Sequence, residues 1–127
     1  MRSEGKGVKR AHHNLLAWQE AIQLVKATYS LTQAFPREEQ FGLTAQMRRA
    51  AISVPSNIAE GAARSSTKEF VHFLVLARGS LSELETQLVI ARELAYVVDS
   101  TDVEALIDRV FRLIAGLITS NKAVNKP

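Results

Sequence analysis

Apolar residues recur along this chain at alternating intervals of three and four, the spacing of amphipathic helices, and nowhere alternate one by one over the length of a strand. After Asn14, read as an N-cap, Leu15, Trp18, Ile22, Val25, Tyr29 and Thr32 share one face, which predicts a helix over 14–35 ended by Pro36. A second helix is predicted over 38–63, with Glu38 and Glu39 near its positive end and a start anywhere between Arg37 and Leu43. Ser66 and Glu69 form a capping box for a third helix over 67–97. There Phe70, Leu74, Ala77, Leu81, Leu84, Leu88, Ala91 and Ala95 give the strongest periodicity in the chain. A helix of about 30 residues is about 45 Å long. Thr101 and Glu104 repeat the capping pattern before a fourth helix over 101–121, with Val103, Ile107, Val110, Ile114 and Leu117 on one face and a frayed end at 122–127.

Four helices with short connections predict an all-α, antiparallel, up-down-up-down four-helix bundle over 14–121, with no internal repeat and no second domain. The apolar stripes are wider than one seam requires. Leu16, Leu24 and Leu31 add to helix 1; Phe73, Val75, Leu76, Val89 and Ile90 to helix 3; Leu106, Phe111, Leu113 and Ile118 to helix 4. Apolar surface of that extent marks association, so a homo-oligomer is expected.

Charge changes this picture only at one end. The 127-residue chain has a net charge of +3, and Arg2, Lys6, Lys9 and Arg10 against Glu4 account for all of it. The helical body is balanced. Residues 1–13, rich in glycine and charge, are expected to form a mobile basic tail. No apolar run approaches the roughly 20 residues that span a bilayer, and the absence of cysteine excludes disulfides, thiolate metal sites and a cysteine nucleophile. A cytoplasmic protein without membrane contact is expected.

The segment RRAAISVPSNIAEGAAR, 48–64, interrupts an apolar run with polar groups and a proline. Gln46, Arg49, Ser53, Asn57, Glu60 and Arg64 fall at intervals of three and four and form one stripe of helix 2. Two structural readings stand: a solvated face, or a polar seam against Arg78, Ser82, Glu83, Glu85 and Arg92 of helix 3. A ligand site is the third. Pro55 removes a backbone donor and presses on the carbonyl of Ala51, so a kink is expected there, with Ser53, Ser56 and Asn57 able to satisfy the freed groups.

Catalytic chemistry finds little material. The only imidazoles are His12 and His13 in the tail and His72 a helix away from the serines, which leaves no nucleophile with a base and an orienting group. Glu69 and His72 form the Glu-x-x-His unit of bundle metal sites, but no other helix repeats it. Gly61 and Gly79 are isolated helix glycines rather than a phosphate loop, and Gly79 suits the close approach of a neighbouring helix. No enzyme activity, metal or cofactor is expected. For nucleic acid, the candidate phosphate contacts are Arg2, Lys6, Lys9 and Arg10 in the tail, with Arg48, Arg49, Arg64 and Lys68 along helix 2 and its exit. The aromatic residues lie on apolar stripes and offer no stacking platform. An RNA or DNA partner and a protein partner both remain open.

The stretches LLAWQEAIQL, FPREEQFGLTAQMRRAAISVPSNIAEGAAR, KEFVHFLVLARGSLSELETQL and ARELAYV resemble the four-helix-bundle proteins encoded within intervening sequences of bacterial 23S rRNA genes. The similarity is carried by FGL, Q-x-RRA, NIAEG and F-x-x-FL, and covers 15–98 almost continuously. The chain is also similar, more distantly, to accessory proteins of diversity-generating retroelements, which are basic pentameric bundles that bind nucleic acid. The resemblance implies a ring-shaped homopentamer with no catalytic residue. It singles out Trp18, Gln19, Phe35, Pro36, Gly42, Leu43, Gln46, Arg48, Arg49, Ala50, Ser53, Asn57, Ile58, Glu60, Gly61, Arg64, Phe70, Gly79, Ser80, Glu83, Leu84 and Thr86 as recurrent positions. The neutral body departs from a strongly basic one.

Overall fold

The computed structural model describes residues 10–124, without the side chain of Val124. Among these residues there are four α-helices and no strand: α1 Leu16–Thr32, α2 Leu43–Ala62, α3 Thr67–Glu93 and α4 Thr101–Val124. Each packs against two others, α1 on α2, α2 on α3, α3 on α4 and α4 on α1, which closes an antiparallel four-helix bundle. The core is aliphatic. Leu24, Met47, Ile58, Leu74, Leu81, Leu84, Leu88, Ile107 and Ile114 are its largest fully buried side chains.

The seam of α3 is the expected one, since Leu74, Ala77, Leu81, Leu84, Leu88 and Ala91 are all buried. Ser66 caps it as expected: the Glu69 N–H donates to Ser66 Oγ at 3.1 Å. The helix ends sooner than the predicted 97, because Ala95 takes a positive φ of 62° and breaks the spiral after Glu93. On α4 the seam is Val103, Ile107, Val110, Ile114 and Ile118, with Ile118 where Leu117 was expected, and the helix continues to Val124 instead of fraying at 122.

Helix α1 departs most from its pattern. Its buried residues are Ala17, Ala21, Leu24, Thr28 and Thr32, so the core face lies about one residue round from the large apolar side chains. Small residues let α1 approach closely, and Thr28 and Thr32 satisfy their hydroxyls within the helix, on the carbonyls of Leu24 and Thr28 at 2.8 Å. The displaced Trp18, Ile22 and Val25 line an apolar groove of about 450 Å³ beside Ile52, Pro55 and Ala59 of α2.

The ends of α1 and α2 also differ from expectation. Asn14 does not cap α1; it closes a 3-10 turn, Ala11–Asn14, and the N-cap is Leu15, with no side-chain bond. Residues 11–13, assigned to the tail by their composition, are therefore ordered here. Residues 1–9 lie outside the described residues. A second 3-10 turn, Arg37–Glu39, delays α2 to Leu43, the late edge of its predicted start. Helix α2 then runs through Pro55 without ending. Ser56 Oγ donates to the Ile52 carbonyl at 2.8 Å and Asn57 Nδ2 to the Ser53 carbonyl at 2.9 Å, so these side chains serve the neighbouring carbonyls and not that of Ala51, the one Pro55 leaves without its helical donor.

Gly61 shows why α2 and α3 come so close at their joined end. A Cβ on Gly61 would stand 2.7 Å from Phe73 Cβ and 3.0 Å from the Phe70 ring. Gly79 is the opposite case, open on the outer face of α3 with nothing within 4 Å.

Candidate functional site

The polar stripe of α2 divides by depth. Ser53 and Asn57 are half-buried, whereas Gln46, Arg49, Glu60 and Arg64 are exposed. At the centre the seam against α3 is real, though its partners are not those the charges suggested. Ser80 Oγ donates to Ser53 Oγ at 2.9 Å, and Asn57 Nδ2 donates to the same oxygen at 3.0 Å. Neither Arg78, Ser82, Glu85 nor Arg92 enters this network; Arg92 turns to Glu104 of α4 at 3.2 Å. At the far end Arg64, just past the helix, pairs with Glu60 of its last turn at 2.8 Å and lies over the Phe73 ring at 4.9 Å.

Around the central contact lies a cavity of about 380 Å³ between α2 and α3, lined by Gln46, Arg49, Ala50, Ser53, Ser80 and Glu83. All six are among the positions singled out by the family resemblance. Glu83 accepts a bond from buried Gln87 Nε2 at 3.3 Å. Ser80 comes from α3 and is not part of the α2 stripe; the family resemblance, which singles it out, was the available signal, since Gly79 beside it is open rather than closely packed.

The eight candidate phosphate contacts do not form one patch. Arg2, Lys6 and Lys9 lie outside the described residues. Arg10, Arg64 and Lys68, all exposed, gather toward the end of the bundle where α1 begins and α2 meets α3. The last turn of α4 brings exposed Lys122 to the same end, a cation that only the antiparallel topology reveals. Arg48 is at the other end and is engaged there: Nε donates to Thr32 Oγ1 at 2.9 Å, Nη2 to the Tyr29 carbonyl at 3.4 Å, and the guanidinium covers the Tyr29 ring at 4.4 Å. Arg49 is exposed and points instead to the cavity.

The bundle is thus electrically polar. Glu38, Glu39, Glu93, Asp99, Asp102 and Glu104 collect at the end opposite Arg64 and Lys68, where they outnumber Arg37, Arg48 and Arg92. Glu39 Oε1 accepts the Leu43 N–H at 3.0 Å and Oε2 accepts the Tyr96 hydroxyl at 2.9 Å, and these two donors, in that order, hold its carboxyl below the ordinary value. The same bond to Glu39 raises Tyr96. Asp99, not Thr101, supplies the turn before α4: it accepts the Thr101 hydroxyl at 2.7 Å and N–H at 3.0 Å, and both lower its pKa. Ser100 bonds to Glu104, so the carboxylate expected to answer Thr101 is held by its neighbour.

The histidines assigned to the tail are placed. His12 and His13 stand 5.0 and 5.5 Å from the Trp18 ring, and His13 Nδ1 accepts the Arg10 N–H at 3.1 Å. Desolvation, then His13 and Arg10, lowers His12. His72 rests edge-on to Phe73 at 5.4 Å, and Glu69 serves the cap of α3. Among the described residues no group of three or more His, Cys, Asp or Glu is arranged to hold a metal ion, and no helix is long and apolar enough to cross a membrane.

Fold and cleft together define a small all-α protein, an antiparallel four-helix bundle with a polar cavity between its second and third helices. The sequence model of the 23S rRNA-intervening sequence protein family matches residues 13–118, and the chain belongs to that family. No curated protein matches it.

Proposed function

We propose that this protein is a non-enzymatic homo-oligomeric bundle that serves as a cytoplasmic accessory to RNA or to nucleic-acid-handling partners. The observation that carries the reading is the outer face of α3. Of the surplus apolar residues in the sequence, Leu24 and Ile118 join the core, and Leu31, Leu106, Phe111 and Leu113 pack against it. Val75, Leu76, Val89 and Ile90 stay exposed on α3, on either side of open Gly79. The groove formed by Trp18, Ile22, Val25 and Ile52 lies on a different side of the bundle. A ridge of one copy seated in the groove of the next makes a head-to-tail contact, the kind that closes rings. The homopentamer implied by the family resemblance is one such ring.

Assembly multiplies the basic end. Each copy contributes Arg10, Arg64, Lys68 and Lys122, together with the Arg2, Lys6 and Lys9 of its N-terminal segment, and repeated weak phosphate contacts add to avidity. The acidic end repels RNA, so binding is oriented. A protein-only scaffold is the second reading, favoured by Arg48 and Arg64 being held within the chain.

Sedimentation of the wild type and of a Leu76→Lys, Ile90→Lys double variant tests assembly: an oligomer is expected for the first and a folded monomer for the second. A monomeric wild type overturns the reading. RNA titrations at about 50 and 200 mM salt, with and without residues 1–10, test the partner. Binding that weakens steeply with salt and with the deletion is expected, and salt-insensitive or absent binding leaves the protein scaffold.

A further inference from the structure

We propose that the cavity between α2 and α3 binds a free α-amino acid, its carboxylate on Arg49 and a serine hydroxyl and its ammonium on Glu83. The cavity wall carries hydrogen-bonding capacity that the described residues leave unused.

A serine hydroxyl has one proton to donate and two lone pairs. Asn57 Nδ2 is oriented by the Ser53 carbonyl, which can only accept, so its bond to Ser53 Oγ has a fixed direction. With Ser80 Oγ also donating to Ser53 Oγ, both lone pairs of Ser53 are occupied and its proton has no acceptor among the described residues. Reversing the bond between the two hydroxyls transfers the unused proton to Ser80. In either arrangement one O–H at the half-buried cavity wall is free to donate to a bound molecule in place of water.

Charge is unused in the same way. Arg49 and Glu83 line one cavity from adjacent helices, yet they form no ion pair with each other. Glu83 is held by Gln87, a side chain only 5% exposed, whose Oε1 is the one buried side-chain polar atom without a partner among the described residues. An amide kept buried and half-satisfied to fix a carboxylate is a structural cost of the type that accumulates at binding sites. Glu83 bonds to Gln87 rather than to Arg49, and the two opposite charges line the same space unpaired with each other.

A ligand that meets all of these groups must present an anion and a cation a few ångströms apart. An isolated phosphate or carboxylate satisfies Arg49 and the hydroxyl but is repelled by Glu83; an amine alone has the converse problem. An α-amino acid carries both groups on one carbon. At about 380 Å³ the cavity is at the small end of the range for ligand sites, about 300–1,000 Å³, and Ala50 gives it a small apolar floor, which suits glycine or serine better than an aromatic side chain.

The test is an amide chemical-shift titration of the full-length, isotope-labelled protein with L-serine, L-serine methyl ester and N-acetyl-L-serine. L-Serine is expected to shift the Ser53 and Ser80 amides saturably at millimolar concentration, and each blocked form to bind about tenfold more weakly, equivalent to about 1.4 kcal/mol. Arg49→Gln and Glu83→Gln should each give a similar loss. Both side chains are exposed, and the dispersion of the same spectra reports whether the variants are folded. An absent or non-saturating response, equal responses to all three compounds, or undiminished binding in both variants would overturn the proposal.

Discussion

The two ends of this bundle are built differently. Where α1 hands over to α2 and α3 to α4, polar bonds join segments far apart in sequence: Tyr96 to Glu39, Arg48 to Thr32, Arg92 to Glu104. Where α2 hands over to α3, the contact is steric, a glycine against two phenylalanines, and the cations Arg10, Lys68 and Lys122 face outward. The first end uses its charges to close loops. The second closes by shape, pairs Arg64 with Glu60, and leaves Arg10, Lys68 and Lys122 exposed, the arrangement that the proposed phosphate contacts require.

The largest effect should come from breaking the steric end. Gly61→Val places a side chain where even a methyl carbon would stand 2.7 Å from Phe73 Cβ, an atom tied to its backbone that cannot swing away. Overpacking of this kind destabilises by about 1–3 kcal/mol, and a fall in the thermal midpoint of that order is expected. Gly79→Ala is the control. Its methyl meets nothing within the chain, so the bundle should gain up to about 1 kcal/mol from helix propensity. If both variants melted alike, close packing would not distinguish the two glycines.

How much of this was legible depends on range. The third helix could be read almost to its end because its cap, Ser66 with Glu69, and its seam are local. The face of α1 is not legible from side-chain size: Trp18 and Ile22 look more like core than Ala17 and Ala21, but helix approach favours the small residues. The cavity was half visible. Its α2 wall, Gln46, Arg49 and Ser53, follows from period alone, whereas Ser80 joins it only once the relative shift of two helices is known. The capping of α2 by Glu39 was hidden for a related reason: four residues separate the carboxylate from the N–H it accepts, with a 3-10 turn between them.

At the polar end, Arg48→Ala removes the bond to Thr32 and the contact with the Tyr29 ring, for an expected loss of about 1 kcal/mol in urea titrations. Arg48→Lys should not restore it, because a point ammonium cannot both stack on the ring and direct its donors to two oxygens. Full recovery with lysine would mean that charge alone matters there. The same variants should leave RNA affinity nearly unchanged. A collapse in affinity would return Arg48 to the phosphate-binding set.

The smallest effect is a dependence on pH at the polar end. Glu39 titrates below its ordinary value in the folded chain because the Leu43 N–H and the Tyr96 hydroxyl stabilise its charge. Its stabilisation is therefore complete above the unfolded value, near 4.5, and declines as pH falls through the lower folded one. Tyr96 has the opposite sign. Raised by its bond to Glu39, it contributes fully below its unfolded value, near 10.0, and that contribution is lost as pH rises through the higher folded one. One bond thus contributes to both an acid limb, where the Leu43 N–H contributes more, and an alkaline limb, with a plateau between them. Tyr96→Phe removes the hydroxyl from both. Urea midpoints of the wild type and of Tyr96→Phe should run parallel across the plateau and converge at both extremes. The Glu39 limb should persist in weakened form, since the Leu43 N–H still lowers that carboxyl. Curves that stayed parallel into acid and alkali would show that the bond between Glu39 and Tyr96 contributes nothing to holding this end closed.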